Sequence, residues 1–427
     1  MYRDDTSPPR RGTRPEERSM RKPLVALAMM ASASLVLAAC AMPADDPNFQ
    51  ANTSVGGGGD AVADAAAAEA SNAALDAAEA APTSIGVDAP LAAAPKKGAS
   101  IISLTDGSDY EAVTETAMAD AAKALGWTFK SVTVDPMDPT ATATAFADAL
   151  ATKPSGIHIS GEFYDSLLES LPNAESAKVP VVCTGCTGEP GNGLTDTSID
   201  GTTQNNAWGD VLAAYVNKSQ WKGEAAGVQI FVAPGGAIND FNVQFDTSLL
   251  ALCHECSTMQ SVVDPTVVDP ADPAAVTGFV SSEMGTSLGA WALLDSGAYS
   301  NGVAEALATD PTMLAPITVI GRGASATDVA NLAGLGAPPT LDPAATARTP
   351  EEAKALQAWI AIPLPVMGWR VIDQFARILG GDALSDGPLP SQFLTGGNAA
   401  DAVVDSKGNF IGVKDFEAQF LKLWGVK

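Results

Sequence analysis

The chain has 427 residues, 46% of them hydrophobic, which is enough for two globular domains and too apolar for a disordered protein. It contains 50 acidic residues against 24 lysines and arginines, so its formal net charge is −26. Nucleic acids and anionic membrane surfaces repel such a charge, and we therefore expect neither as a binding partner.

Residues 1–39 are typical of an export signal. The basic pair at 21–22 precedes an uncharged apolar run at 24–39, whose 16 residues are too few for a membrane span and suit the core of a signal peptide. The residues before Met20 are unlike the start of a signal peptide, which indicates that Met20 is the true start. We therefore expect the mature protein to lie outside the cytoplasm.

The apolar run ends in the sequence LAAC at 37–40, which resembles the lipobox of bacterial lipoproteins. That resemblance implies cleavage before Cys40, lipidation of its side chain and anchoring of the protein to the cell membrane. The alternatives are a plain secretory signal cut near Ala39 or an anchor that stays uncleaved.

Residues 40–97 have the composition of a flexible tether. They contain no lysine or arginine before Lys96, a run of four glycines at 56–59 and a stretch rich in alanine. Proline, glycine, serine and aspartate interrupt this segment too often for a long stable helix. A flexible chain of this length spans roughly 40 Å, which would hold a domain away from a membrane.

Short apolar runs alternate with helical periods from Ala99 onward. The helix after the first strand ends at Gly126, the next begins with Asp138 as cap and Pro139 as its first residue, and another begins near Tyr164. The predicted strands of this first series cover 99–104, 129–134, 156–160 and 179–183.

A second series of elements follows. Its predicted helices and strands cover 205–216, 227–233, 241–252, 258–264, 274–285, 290–295, 300–309, 316–321, 349–359 and 366–381. Short, continuously apolar strands between amphipathic helices predict an α/β fold with two doubly wound, Rossmann-like lobes, each built on a parallel sheet. Ligands bind outside the carboxyl ends of such strands, so we expect one ligand cleft between the lobes.

Three short motifs occur in this series: ALGW at 124–127, VPVV at 179–182 and APITVIG at 315–321. With the order of the elements, they resemble type I periplasmic binding proteins, the sugar-binding group that includes the ribose-binding protein. The resemblance implies two lobes joined by a three-crossover hinge. It also implies capture of a small molecule in the cleft and its delivery to an ABC transporter permease. Lobe 1 would comprise 98–203 and 363–390, and lobe 2 would comprise 204–362 and 391–427.

The resemblance also implies which side chains line the cleft. Aromatic faces would cover the CH side of a sugar ring, while acids, amides and hydroxyls would bond to its hydroxyl groups. Phe163 could instead pack within the protein, and Arg322 could pair with a carboxylate of the chain itself. The candidate ligand-binding residues are Asp106, Ser108, Asp109, Tyr110, Ser160, Glu162, Phe163, Thr184, Asn239, Phe241, Asp295, Ser296 and Arg322.

The chain departs from the family at positions that grip the sugar. Gly185 and Cys186 stand where the family has an Asp-Arg pair, Gly323 replaces an aspartate, and Ile362 replaces a glutamine. A sugar is the favoured ligand, with nucleosides, polyols, amino acids and other small solutes as alternatives. The protein could also sense its ligand rather than transport it. We expect a monomer that has no cofactor and binds no metal.

The sequence offers little for catalysis. It has two histidines, His158 within a predicted strand and His254 between two cysteines, so a Ser-His-Asp arrangement is not expected. It also lacks the phosphate-binding loop GxxxxGK(S/T). We therefore expect a binding protein rather than an enzyme. The alternatives are a redox lipoprotein that uses Cys183 and Cys186, and an anchored interaction protein that keeps the fold without a ligand.

Two CxxC pairs, Cys183 with Cys186 and Cys253 with Cys256, could hold zinc or form disulfides. Export favours oxidised thiols, and four cysteines remain beside Cys40, as two disulfides require. The predicted fold places the first pair at the cleft and the second pair at the opposite end of a strand. The two pairs are then too far apart for one tetrahedral zinc site, so we predict two local disulfides.

Overall fold

The computed structural model describes residues 61–219, 226–231, 235–253, 256–262, 272–284, 289–310, 317–335 and 356–426. The predicted signal peptide, Cys40, His254 and the predicted helix start at Thr349 lie outside these residues. Across the described segments, no helix combines the length and the apolar character that a membrane crossing requires.

Strands and helices alternate along most of the described chain. The strands are β1 (Ser100–Thr105), β2 (Thr128–Thr133), β3 (Gly156–Ser160), β4 (Val181–Thr184), β5 (Asp196–Ile199), β6 (Ala226–Phe231), β7 (Ser257–Val262), β8 (Gly289–Leu294), β9 (Thr318–Arg322), β10 (Gln357–Ala361) and β11 (Gln392–Leu394). The helices are α1 (Ala61–Glu79), α2 (Asp109–Ala124), α3 (Pro139–Ala151), α4 (Tyr164–Leu167), α5 (Leu171–Ala177), α6 (Thr202–Ser219), α7 (Ala237–Leu252), α8 (Ala274–Met284), α9 (Val303–Thr309), α10 (Ala326–Ala333), α11 (Leu364–Gly380) and α12 (Phe416–Leu423).

Lobe 1 is built on a parallel sheet with the strand order β2-β1-β3-β4-β5. Every residue of β3 and β4 is buried, as expected for central strands covered on both faces. The predicted helix boundaries are confirmed: the Asp138 side chain accepts hydrogen bonds from two backbone amides of α3, and Gly126 after α2 has a φ of +70°. The carboxyl ends of these parallel strands meet at one edge of the sheet, where they can form one wall of a cleft.

Lobe 2 is built on a second sheet with the order β11-β10-β9-β8-β6-β7. Its neighbouring strands are parallel except for β10 and β11, which run antiparallel. Trp291 of β8 is buried and packs edge-on against Phe245 of α7, with ring centroids 5.1 Å apart. The prediction of two Rossmann-like lobes with parallel sheets is therefore confirmed.

The chain passes between the lobes three times before its C-terminal tail, which packs back on lobe 1. It leaves lobe 1 between β5 and α6 and returns between β10 and α11, where α11 packs on α2 and on the lobe 1 strands β4 and β5. It then contributes β11 to lobe 2 and ends in α12, which packs on α11. Trp424 stacks on Trp369 with centroids 5.3 Å apart, and its indole nitrogen donates to Asp373 Oδ1 at 2.8 Å. The end of the segment 391–427 thus belongs with lobe 1, not with lobe 2 as predicted.

The described part of the predicted tether is folded against the lobes. Helix α1 packs on α6, and Leu75 is fully buried there. Ile85 and Val87 are buried in the same core. The prediction of a flexible tether over 40–97 is therefore wrong for the part that the structure describes, residues 61–97. Alanine has the highest helix propensity, and a few large apolar residues are enough to dock such a helix.

One predicted element has a different secondary structure. Trp359, assigned to the end of a helix, lies in the buried strand β10. A short apolar stretch has no periodicity that separates a buried strand from a buried helix, so the error follows from the pattern itself. Strands β5 and β11 and helices α10 and α12 were not predicted.

Candidate functional site

The two lobes touch at the carboxyl ends of their sheets. The backbone N–H of Ala237, at the start of α7, donates to the carbonyl oxygen of Gly185, which follows β4, at 2.7 Å. A Cβ atom on Gly236 would overlap that carbonyl oxygen and lie 3.2 Å from the Cα of Gly161. Glycine at this contact lets the two backbones approach closely, and the structure shows a closed arrangement of the lobes.

An ion pair joins the first crossover to lobe 2. The guanidinium Nη2 of Arg322, at the end of β9, donates to Oδ2 of Asp200, which follows β5. Both residues are 5% exposed. Asp200 has a φ of +52°, and its carbonyl oxygen accepts a hydrogen bond from Asn205 Nδ2 at 2.6 Å. The carboxylate that pairs with Arg322 is thus the chain's own, and it follows a strand that the sequence did not reveal.

Tyr110 lies beside this ion pair. A Cβ atom built on Gly323, next to Arg322, would be 3.5 Å from Cε2 of the tyrosine. The hydroxyl of Tyr110 and the Nε of Arg322 are both buried, and neither has a hydrogen-bond partner within the described chain. Burial raises the pKa of Tyr110, so the phenol stays protonated. Burial is the largest single effect and would lower the pKa of Arg322, but the charge and hydrogen bond of Asp200, together with Tyr110 and Asp295, raise that pKa overall.

Three carboxyl groups of lobe 1 gather at the ends of β1 and β3. Asp106 accepts a hydrogen bond from the backbone N–H of Ser108 at 2.8 Å, and Ser160 Oγ donates to Glu162 Oε1 at 2.8 Å. Glu111, in the first turn of α2, is 7% exposed, and its Oε2 has no partner within the described segments. These carboxyl groups lie close enough to interact electrostatically.

Burial and neighbouring charges raise the pKa values of Glu111 and Glu162. Burial, followed by the charges of Glu162, Asp106 and Glu115, raises the pKa of Glu111 well above its usual range. Loss of solvent around the carboxyl and the charge of Asp106 raise the pKa of Glu162 to about 7, although its side chain still reaches water. Near neutral pH this wall of the cleft therefore holds protons that a solvated carboxylate would have lost.

A polar row runs through the sheet below this cluster. His158 of β3 contacts Ser103 Oγ through Nδ1 at 2.8 Å and Thr184 Oγ1 through Nε2 at 3.1 Å. All three side chains are buried. Burial lowers the pKa of His158 to about 3, so the imidazole is neutral. The hydroxyl group of Thr184, a candidate ligand-binding residue, thus already makes a hydrogen bond within the sheet.

Lobe 2 faces the cluster with residues that follow β8. Asp295 is fully buried and accepts a hydrogen bond from Asn242 Nδ2 at 3.4 Å. Ser296 Oγ accepts from the backbone N–H of Ala298 and caps a short 3₁₀ turn that contains Tyr299. Burial, then Asp106 and Asp295, raise the pKa of Tyr299, which places this tyrosine between acids of the two lobes. Tyr299 was missed because it lies in no recognisable sequence motif.

The remaining candidates pack in a core, lie exposed or cap a helix. Phe163 and Phe241 are fully buried and pack in hydrophobic cores, which corrects their predicted role as ligand contacts. Asn239 is exposed on α7. Asp109 is exposed and lines an outer groove of about 470 Å³ with Trp369. Ser108 caps α2 by accepting a hydrogen bond from the backbone N–H of Glu111.

Both predicted disulfides are present. Cys183 and Cys186 bridge across Gly185 at the interlobe contact, with Cα atoms 5.8 Å apart. Cys253 and Cys256 bridge the end of α7 and the start of β7, with Cα atoms 5.3 Å apart. Within the described segments, no group of three or more histidine, cysteine or acidic residues is arranged to hold a metal ion.

Comparison with known proteins finds likeness in structure alone. No family model and no curated protein sequence matches the chain. It does match the solved structure of an ABC transporter solute-binding protein from Agrobacterium vitis with bound allitol, at 19% identity and a TM-score of 0.55, over 71% of this chain and 98% of that one.

Two further solved structures are similar. One is a 5-methylthioribose transporter solute-binding protein from Thermotoga lettingae, at 13% identity and a TM-score of 0.57, over 77% of this chain and 94% of that one. The other is a glucose-galactose binding protein from Geobacillus stearothermophilus, at 15% identity and a TM-score of 0.52, over 70% and 98% of the two chains.

The class of protein follows from these observations. The chain has the type I periplasmic binding-protein fold, which it shares with sugar-binding proteins of ABC transporters. The named neighbours are binding proteins for sugars or other solutes. At these low identities the likeness establishes the fold, and the choice of ligand rests with the residues of this chain.

Proposed function

We propose that the protein captures a small polar solute between its lobes, outside the cytoplasm, and delivers it to an ABC transporter permease. The observation that carries the proposal is the interlobe site itself. Tyr110 and Arg322 bring buried, unpartnered polar atoms together from opposite lobes. A buried polar group without a hydrogen-bond partner destabilises the folded protein. A polar ligand between the lobes would give both groups a partner.

A sugar or polyol is the favoured solute. Solved neighbours include a protein with bound allitol and one in complex with 5-methylthioribose. The site described above offers hydroxyl, carboxyl and guanidinium groups, which match the hydroxyls of such molecules. Nucleosides, amino acids and a sensing role are the alternatives to sugar transport.

A redox role for Cys183 and Cys186 is less well supported. Both cysteines are fully buried, whereas a redox-active thiol has to be reached by its partner. Their bridge is also followed in the chain by a loop, and not by the helix that follows a thioredoxin-like CxxC motif. We assign this disulfide a structural role in shaping the interlobe contact.

Anchoring through lipid on Cys40 is part of the proposal. The sequence LAAC at 37–40 supports it. Intact mass of the mature protein, with Cys40→Ser as the comparison, tests it directly. A wild-type mass equal to that of the unmodified chain would contradict the anchor.

Titration calorimetry of the full chain against sugars, polyols, nucleosides and amino acids tests solute capture. We expect one class to bind, and Tyr110→Ala to weaken that binding at least about tenfold because it removes a contact in the closed site. Glu175→Gln, an exposed change on α5, should leave the affinity unchanged. Failure of every solute to bind would overturn the proposal.

A further inference from the structure

Among the described residues of the interlobe site, the acidic groups do not all have a partner of opposite charge. Asp106, Glu111 and Glu162 lie together on the lobe 1 side, and the charges that raise the pKa of Glu111 and of Glu162 are all negative. Arg322 is the cation at this site, and its guanidinium is already paired with Asp200. Among the residues that the structure describes, no ion pair joins the carboxyl cluster to a cation of the chain, and a neutral ligand would not supply a counter-charge.

Unpartnered atoms next to this cluster provide an independent observation. The Nε of Arg322, a residue that is 95% buried, and the Tyr110 hydroxyl are both donors without an acceptor in the described chain. Tyr110 also lies near Glu111, whose charge acts on it. The site thus presents hydrogen-bond donors at one end and carboxyl groups at the other.

We infer that the solute captured in the cleft is an aminated polyol or sugar, which carries a protonated amine beside its hydroxyl groups. The ammonium group faces Asp106, Glu111 and Glu162, and a hydroxyl oxygen accepts hydrogen bonds from Tyr110 and Arg322 Nε. A charge-assisted hydrogen bond to a carboxylate is stronger than a bond to a neutral hydroxyl, so the amine sets the preference. This inference rests on the proposed function and narrows its ligand class.

Matched pairs of ligands test the preference. Titration calorimetry of the full chain would compare glucamine with sorbitol, and glucosamine with glucose and N-acetylglucosamine, in low and high salt. We expect each amine to bind at least about tenfold more tightly than its neutral partner. The advantage should shrink at high salt, because salt screens charge interactions.

Variants of the carboxyl cluster provide the second arm. Glu111→Gln and Glu162→Gln should each weaken binding of the amine several-fold more than they weaken binding of its neutral partner. Glu162 reaches solvent, so its variant remains informative even if Glu111→Gln fails to fold. Glu175→Gln, which lies on the outer face of lobe 1, should change neither affinity.

The outcomes separate the two proposals. Equal or tighter binding of the neutral partners would overturn the amine inference and leave solute capture standing. An amine advantage that survives both glutamine variants would also overturn it, since the charge would then be recognised elsewhere. If neither amines nor neutral solutes bind, solute capture itself fails.

Discussion

The buried ion pair between Asp200 and Arg322 fixes the first crossover against lobe 2. Removing one partner of such a pair leaves an uncompensated charge in the interior, so Asp200→Asn or Arg322→Met should lower the free energy of unfolding by about 3–5 kcal/mol. The double variant should recover much of that loss, because it removes both charges.

Urea unfolding of the three variants measures this effect. The exposed pair of Lys218 and Asp76, 3.0 Å apart, provides the control. Lys218→Met should cost less than about 1 kcal/mol, since solvent screens that pair. A double variant as unstable as the sum of the single variants would show that the two charges do not interact.

The carboxyl group of Glu162 makes stability depend on pH. Its pKa in the folded protein is about 7, above the ordinary 4.5, so the folded state binds a proton that the unfolded state releases between those values. The contribution is complete below pH 4.5 and is lost as the pH rises through 7. The charges and dipoles that face it come from Asp106, Glu111 and Ser160.

Thermal melting between pH 5 and pH 8 tests this dependence. Glu162→Gln, which cannot titrate, should lose less stability over this range than the wild type. Glu175→Gln should keep the slope of the wild type. Identical slopes for the wild type and Glu162→Gln would mean that Glu162 titrates normally in the folded protein.

At the scale of single residues, sequence patterns predicted part of the candidate site. The rule that ligands lie beyond the carboxyl ends of strands led to Tyr110, Asp106 and Arg322, which the structure brings together. Asp200 was missed because β5 contains the polar residues Asp196, Thr197 and Ser198 and lacks an apolar run. Phe163 was misplaced because an aromatic residue beside a loop has the same pattern whether it faces a ligand or a core.

Helix α1 and the segment after it act as a strap at the scale of whole elements. Helix α1 packs on α6 of lobe 2. Farther along, Arg370 Nη2 donates to the carbonyl oxygen of Ile85 at 3.2 Å, and Arg377 Nη2 donates to that of Ala89 at 2.7 Å. Both arginines belong to α11 of lobe 1, so the strap contacts both lobes.

Truncation of the buried anchor of α1 tests the docking. Leu75→Ala should lower the free energy of unfolding by about 2–5 kcal/mol, the usual cost of a cavity in a core. Ala77→Ser, at an exposed position of the same helix, should cost less than about 1 kcal/mol. Chemical denaturation compares the two. Equal, small losses would show that α1 is not docked in solution.

The alanine-rich composition of this strap explains why the sequence suggested a tether. Small residues provide little hydrophobic pattern, and docking depends on a few positions such as Leu75, Ile85 and Val87. The buried arginines of α11 hold it through backbone carbonyls, which any sequence provides. Patterns of side chains therefore predicted the sheets of both lobes but could not predict contacts made by backbone groups.

Closure of the whole molecule depends on the contact between Gly236 and Gly185. A methyl group on Gly236 would overlap the Gly185 carbonyl oxygen and push the lobes apart. Gly235 has a φ of +124° and open space around its Cβ position. Gly235→Ala therefore introduces backbone strain without obstructing the contact, and it is the matched control for Gly236→Ala.

Small-angle X-ray scattering of the two variants distinguishes obstruction from strain. Gly236→Ala should have a larger radius of gyration than the wild type, and its affinity for any solute should fall because the closed state becomes rarer. Gly235→Ala should keep the dimensions of the wild type. If Gly236→Ala is as compact as the wild type, the lobes do not meet at these glycines in solution.

The Cys183–Cys186 bridge encloses Gly185. Its removal by Cys186→Ser should therefore also increase the radius of gyration.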